Sequence, residues 1–305
     1  MRLALLFLLC IAWLSAMSET RNGFDLSDSL IPADEIVQTS VPRDGIPALD
    51  TPTFLKASEA RHMRGKERVI GVVINGEARA YPVRILNYHE VVNDVIGGRS
   101  LTVTYCPLCG TGVIFDVTGQ PWQRFGVSGL LYNSDVLLYD RETGSLWSQM
   151  LAKAVTGPAR GVGLFPVSVT HTRWGEWLDR HPDTLVLSPD TGYRRDYQEN
   201  PYETYAEIAD LWFPVAHRDR RLKAKERVIG LELDGVYKAY PFSQLSRRTN
   251  RISDRFGDQS LTVEYDRSAE SGRVLDEQGN EIVTFTAYWF AWAAFHPETE
   301  VFMKP

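Results

Sequence analysis

The pattern of apolar and polar positions indicates a chain built mainly from short β-strands joined by tight turns. Residues 68–74 form a β-branched run that leads into Asn75-Gly76 and then into a second such run. Asp234-Gly235 separates a similar pair of runs in the last third of the chain. Asn-Gly and Asp-Gly between two such runs are typical of two-residue β-hairpins. Residues 100–105 and 112–117 predict a further antiparallel pair.

Two segments show helical spacing instead. Residues 84–92 place apolar side chains on one helical face and predict a short helix. Trp174, Trp177 and Leu178 fall at i, i+3 and i+4, and His181-Pro182 ends that second helix. The expected fold class is therefore α+β, predominantly β, with short helices.

Much of the pattern occurs twice. The sequence Lys-Glu-Arg-Val-Ile-Gly stands at 66–71 and again at 225–230, and Ser-Leu-Thr-Val stands at 100–103 and again at 260–263. A later match between 172–186 and 289–301 has a smaller offset. The difference predicts an extra β-hairpin insert over 126–169 in the first copy. We therefore expect an internally duplicated, hairpin-rich unit.

The repeat and the composition together suggest a division of the chain. The predicted segments are a signal peptide at 1–18, an N-terminal lead-in at 19–65, a first half at 66–188, a tyrosine-rich connector at 189–224 that packs against the body, and a second half at 225–305.

The N-terminus predicts export. Arg2 precedes an apolar run from Leu3 to Ala16, and small residues around Ala16-Met17-Ser18 offer a cleavage site. The run is too short for a confident membrane span, although an uncleaved anchor is the alternative. The expected location is periplasmic or extracellular, with no confident span after signal removal.

Composition adds two limits. A 44% share of hydrophobic residues is enough for an ordinary core without disulfides. The net charge of −6 and the absence of long Lys/Arg runs argue against nucleic acid or an anionic membrane surface as a partner.

The candidate chemistry is concentrated in Cys106-Pro107-Leu108-Cys109-Gly110. These are the only cysteines left once Cys10 is removed with the signal, and the second copy has Asp266 and Ala269 in their place. As a structural staple so small a loop contributes only about 2 kcal/mol. A thioredoxin-type centre needs a helix after its first cysteine, whereas a β-like run follows here. The turn is typical of a metal knuckle.

His89 is the candidate third ligand. It lies on the predicted helix before the cysteine strand, and its counterpart in the second copy is Arg248. A structural zinc site would need two ligands besides the cysteines, whereas two thiolates with one imidazole would better suit a copper ion at low coordination, since soft ligands favour Cu(I). The competing state of the cysteine pair is a reversible disulfide used in electron or thiol exchange. His181 and His296 occupy matching positions before proline, where a helix C-terminal role is expected.

Three function classes remain open from the residues. The first is an exported protein with a metal-binding or thiol-redox centre at Cys106 and Cys109. The second is an enzyme of unknown reaction whose pocket lies between the cysteine turn and the insert, where Tyr132, Asn133 and Asp135 have no counterpart in the second copy. The third is a non-catalytic binding module. Common hydrolase, zinc-protease and phosphate-loop signatures are absent from the sequence.

Several motifs together resemble the prokaryotic family known as domain of unknown function 3179. The resemblance covers about residues 60–300 and implies an exported, uncharacterised domain, with no activity attached. Its motifs here are Tyr-His-Glu-Val-Val-Asn-Asp at 88–94, Tyr-Cys-Pro-Leu-Cys-Gly-Thr at 105–111, Phe-Gly-Val-Ser-Gly-Leu-Leu-Tyr-Asn-Ser-Asp at 125–135, and Tyr-Asp-Arg-Glu-Thr-Gly-Ser-Leu-Trp-Ser-Gln at 139–149.

Overall fold

A computed structural model describes residues 19–245 and 251–304. The predicted signal peptide at 1–18 lies outside the described residues. Strands account for 41% of the chain and helices for 11%, which confirms the prediction of a predominantly β protein with short helices. Within the described ranges, no helix combines the length and the apolarity that crossing a bilayer requires.

Twenty-four strands, four α-helices and two short 3-10 helices make up the described structure. The strands are β1 Thr20–Arg21, β2 Phe24–Asp25, β3 Ile36–Gln38, β4 Phe54–Lys56, β5 Arg68–Ile74, β6 Glu77–Pro82, β7 Val91–Ile96, β8 Arg99–Cys106, β9 Thr111–Asp116, β10 Phe125–Tyr132, β11 Asp135–Asp140, β12 Leu146–Ser148, β13 Lys153–Ala154, β14 Phe165–Val167, β15 Thr170–Arg173, β16 Leu185–Leu187, β17 Arg227–Leu233, β18 Val236–Pro241, β19 Arg251–Phe256, β20 Gln259–Asp266, β21 Ser271–Leu275, β22 Glu281–Ile282, β23 Thr284–Tyr288 and β24 Glu300–Val301. The helices are α1 Val83–His89, α2 Trp174–Arg180, α3 Glu203–Glu207 and α4 Trp289–Phe295, and the 3-10 helices are Ala33–Glu35 and Ala57–Glu59.

Five sheets of four or five strands are arranged as a propeller-like ring with five blades. The insert blade contains β13-β12-β11-β10-β3 and the cysteine blade contains β14-β9-β8-β7. The first hairpin blade is β15-β5-β6-β16-β4, and the second hairpin blade is β23-β17-β18-β24. The C-terminal blade is β19-β20-β21-β22. A small separate pair is formed by β1 and β2.

This architecture corrects the expectation of an internally duplicated hairpin unit. The segments that repeat in sequence lie in four blades of a five-bladed ring, and the fifth blade has no repeated partner. Residues 126–169 were expected to add a hairpin to one half. Strands β10 to β13 instead form most of the insert blade, which is completed when β3 of the lead-in pairs with β10, and β14 joins the cysteine blade. A hairpin exposes unpaired edges, and lateral pairing with β3 covers one of them.

The hairpin blades share one packing detail that explains two glycines. Gly71 lies under the ring of Trp177, and Gly230 lies under the ring of Trp292. A Cβ at either glycine would overlap the indole. The prediction of a helix ending at His181 is confirmed, since α2 presents Trp174 and Trp177 to the core and His181 is its C-cap residue.

The connector covers the body of the ring near the cysteines. Tyr197 and Tyr205 are buried, and Tyr205 belongs to the apolar cluster that contains Cys106 and Cys109. Lys225 lies 3.4 Å from the centroid of the Tyr205 ring, and its ammonium donates hydrogen bonds to connector carbonyls. These contacts attach the connector to the face that carries the candidate site.

Candidate metal centre

The two cysteines are held by a tight turn between β8 and β9. Cys106 pairs with Thr111 at the end of the ladder, so the turn is closed directly behind the two sulfurs. Gly110 has φ +60°, and a Cβ there would come within 3.1 Å of the Tyr288 ring. Glycine is therefore needed for both the backbone conformation and the close approach. Cys106 is 1% exposed and Cys109 is 0% exposed.

The turn between β10 and β11 forms the opposite wall. Asn133 and Ser134 both have positive φ, as a two-residue hairpin turn requires. The Ser134 carbonyl accepts weak hydrogen bonds from the thiols, at 3.4 Å from Cys109 Sγ and 3.7 Å from Cys106 Sγ. Its hydroxyl donates to the carbonyl of Phe213 in the connector at 2.8 Å. This turn is thus fixed between the cysteines and the connector.

Asp135, which begins β11, brings a carboxylate to the two sulfurs. One ligand atom each from Cys106, Cys109 and Asp135 lies within 4.8 Å of the others, and all three residues are buried. Oδ2 of Asp135 accepts a hydrogen bond from the Met150 N–H at 3.1 Å, whereas Oδ1 is buried with no hydrogen-bond partner among the described residues. A buried carboxylate oxygen without a partner is costly, and a cation at this point would satisfy it.

Burial governs the protonation of this cluster. Desolvation raises the pKa of both thiols, that of Cys109 most strongly. Desolvation also raises the pKa of Asp135 to about 7, because it outweighs the hydrogen bonds that stabilise the charged carboxylate. In the absence of a metal ion the cluster therefore keeps its protons more firmly than exposed groups would. Metal binding would release those protons, because metal ligands are bound in their deprotonated form.

Glu90 is a second buried carboxyl near the cluster. Helix α1 stops at His89, earlier than the predicted 84–92, because Glu90 adopts a left-handed conformation with φ +58°. Its backbone is bonded to Leu86 and Tyr105, but its carboxyl group makes no hydrogen bond with a described residue. Desolvation, followed by the charge of Asp135, raises the pKa of Glu90 to about 8.

His89 lies outside the group of three. Its Nδ1 is 2.8 Å from the Pro47 carbonyl, which can only accept, so Nδ1 carries the proton. Its Nε2 accepts from the Tyr197 hydroxyl at 2.6 Å. Both ring nitrogens are thus engaged by the lead-in and the connector, and the structure brings Asp135, not His89, to the cysteines.

A pocket of about 190 Å³ adjoins the cluster. Glu90 lines it together with Leu108, which lies between the two cysteines, and Val136, which follows Asp135. The remaining walls are mostly apolar and include Val127, Leu131, Tyr202 and Trp212. The pocket thus lies between the cysteine turn, the insert blade and the connector.

Sequence reasoning found the cysteines and underestimated both carboxyl groups. Asp135 could be suspected because it has no counterpart in the second copy, but nothing local placed it against a turn some 25 residues away. Glu90 lies inside one of the family-like motifs, and its left-handed backbone and burial have no sequence signal. Arg141 also lies in the insert, but its guanidinium donates hydrogen bonds to the Asp44 carboxylate and is not part of the cysteine cluster.

A family described as "Protein of unknown function (DUF3179)" matches residues 43–299. The chain belongs to this family. Comparison with curated proteins and with solved structures finds no match. Membership therefore confirms the resemblance carried by the four motifs and assigns no activity to the chain.

Proposed function

We propose that this is an exported protein that binds one transition-metal ion, zinc in the first place, through Cys106, Cys109 and Asp135. The observation that carries the proposal is the convergence of two thiols and a carboxylate in one buried cluster, where one ligand atom from each residue lies within 4.8 Å of the others. Zinc accepts thiolate and carboxylate ligands together in tetrahedral geometry. Three protein ligands leave the fourth position for water or a substrate.

The ligand set favours zinc over copper. Cu(I) prefers soft sulfur ligands, and the pairing of the cysteines with His89 would have suited it. Asp135 supplies a hard oxygen ligand in place of that imidazole. Zinc is borderline in softness and binds both kinds of atom.

Burial argues against thiol exchange as the main role. Exchange requires an accessible sulfur and an appreciable thiolate fraction. Here both sulfurs are covered, and desolvation raises the pKa of both thiols. A bound cation would instead stabilise the thiolates within the buried site, and it would protect the pair from oxidation in an exported protein.

Metal analysis tests the proposal directly. The protein is purified without chelator, reduced, reconstituted with Zn²⁺ and desalted, and we expect one zinc ion per chain. Cys106→Ser and Asp135→Asn should lose the ion or bind it at least about tenfold more weakly, since loss of even an outer-shell partner of a ligand typically costs about 10- to 100-fold in metal affinity. His89→Gln is the matched control and should keep it. A wild-type protein that stays metal-free after reconstitution would exclude the metal site, and mass spectrometry after thiol alkylation would then reveal a disulfide.

Export is supported by the sequence alone and has its own test. The basic Arg2 followed by the apolar run to Ala16 is typical of a signal peptide. We expect the native protein to begin near Met17 and to be recovered outside the cytoplasm. N-terminal sequencing of the native protein decides this, and an intact Met1 on a cytoplasmic product would contradict it.

A further inference from the structure

Glu90 destabilises the folded state in two ways. A non-glycine residue with positive φ costs about 1–3 kcal/mol, and glycine or asparagine would end α1 without that cost. Glu90 is a residue that is only 7% exposed, and its carboxyl group has no hydrogen bond to a described residue, which adds a desolvation cost. A buried polar group of this kind, lining a pocket, indicates a role in recognising a ligand.

The position of the pocket connects Glu90 with the proposed metal ion. Leu108 separates the two cysteines in sequence, Val136 is the neighbour of Asp135, and both line the same pocket as Glu90. The charge of Asp135 also contributes to the raised pKa of Glu90. Residues adjacent in sequence to the three proposed ligands thus line the same pocket as Glu90.

The walls define the chemistry of that molecule. They are mostly aliphatic and aromatic side chains, so the body of a ligand has to be apolar. Glu90 provides the one hydrogen-bonding group among the buried side chains of the walls. A volume of about 190 Å³ corresponds to about six water molecules at about 30 Å³ each, which limits the ligand to a small molecule. A charged ligand would lose its hydration against apolar walls.

We propose that this pocket binds a small neutral molecule, apolar except for one hydroxyl or carbonyl group, and that Glu90 hydrogen-bonds that group beside the metal ion. The position of that group beside the metal ion rests on the proposed function. Binding of the small molecule depends on the pocket, its apolar walls and Glu90. The proposal of a bound molecule and the proposal of a bound metal ion can therefore fail separately.

The probe is 1-pentanol, with pentanoate and pentylammonium as charged molecules of matched length. Binding is measured by ligand-observed NMR on the metal-free protein and on protein loaded with Co²⁺. We expect 1-pentanol to bind both forms and to change the visible spectrum of the bound Co²⁺. Glu90→Leu should weaken binding about five- to tenfold through loss of the hydrogen bond, and Glu90→Gln should retain most of it.

Val41→Trp provides a steric control at the rim of the pocket. Val41 is partly exposed, so a larger side chain can enter the pocket without repacking the core. This variant should bind Co²⁺ like the wild type and lose 1-pentanol. The inference is wrong if 1-pentanol does not bind, if Val41→Trp leaves its binding unchanged, or if either charged probe binds as tightly. Failure of Co²⁺ to bind would contradict the proposed function. Titration of the metal-free protein with 1-pentanol would still decide whether the pocket binds this molecule.

Discussion

The indole N–H of Trp177 donates a hydrogen bond to Thr184 Oγ1 at 3.0 Å, across the glycine that the ring covers. Trp292 makes the same bond to Thr299 at 2.9 Å in the second hairpin blade. Each bond holds the indole over its glycine, Gly71 or Gly230. The repeated sequence thus reproduces a side-chain arrangement that two blades share.

Alanine at either covered glycine should destabilise the protein. Gly71→Ala and Gly230→Ala introduce a Cβ into the space of the indole, and we expect a loss of about 1–3 kcal/mol in the free energy of unfolding. Gly163→Ala is the control, since the nearest atom to its Cβ would be 3.9 Å away. Urea unfolding measures all three. Equal stabilities for Gly71→Ala and Gly163→Ala would show that the ring moves aside freely.

Removing the indole's acceptor should have a comparable effect. Thr184→Val keeps the shape of the side chain but leaves the Trp177 N–H buried and unpaired, which costs about 1–3 kcal/mol. Thr184→Ser keeps the hydroxyl and should recover most of that loss. The same pair of substitutions at Thr299 repeats the test in the other blade. If valine and serine give the same unfolding midpoint, the hydrogen bond contributes nothing measurable.

His89 should prove to be a structural residue. Tyr197→Phe removes the donor to Nε2, and we expect a loss of about 1 kcal/mol in stability with zinc stoichiometry unchanged. His89→Gln should also lower stability and retain the metal ion. A double-mutant cycle of the two substitutions in urea unfolding measures their coupling. Loss of zinc from the Tyr197→Phe protein would indicate that this bond supports the metal centre.

The metal-free protein should lose stability as the pH rises above neutrality. Glu90, with its pKa raised to about 8, holds a proton more tightly in the folded chain than in the unfolded chain, so stability falls as pH rises from about 4.5 to about 8. Buried His171, whose pKa is lowered to about 3, gives the opposite slope below about pH 6.5. The informative window is therefore pH 6.5–8.

Glu90→Gln isolates this contribution. The free energy of unfolding of Glu90→Gln should rise progressively relative to that of the wild type as the pH increases across that window, because glutamine has no proton to lose. Parallel urea-unfolding series at several pH values, with both proteins metal-free, provide the measurement. A constant difference between the two proteins from pH 6.5 to pH 8 would contradict the raised pKa.

The structural features that could be predicted from the sequence are those determined by a few neighbouring residues. Asn75-Gly76 and Asp234-Gly235 have the positive φ values of the hairpin turns that their identities require. The cysteine turn was recognisable because glycine after the second cysteine permits its conformation. The helix at Trp174 followed from apolar spacing. Each of these features depends on local steric preferences, which single-sequence patterns report well.

Features that depend on distant pairing could not be predicted in this way. The fifth blade is completed by β3, near residue 37, which pairs with β10, and no local pattern shows that contact. His89 had the right residue type for a ligand, but Pro47 and Tyr197 occupy both of its nitrogens from far along the chain. Asp135 reaches the sulfurs only because its hairpin turn faces theirs.

The Ser134 turn and the connector bonded to it determine when during folding the two thiols become covered. During synthesis Cys106 and Cys109 emerge first, the turn follows, and the connector that bonds the Ser134 hydroxyl emerges about 80 residues after that turn. An ion that arrives during that interval meets an open pair of thiols. An ion that arrives later, as in reconstitution of the folded protein, reaches them when the chain opens locally. Once the connector is in place, exchange with a chelator waits for the chain to open locally, and its rate then reports that opening and not the strength of the metal–ligand bonds.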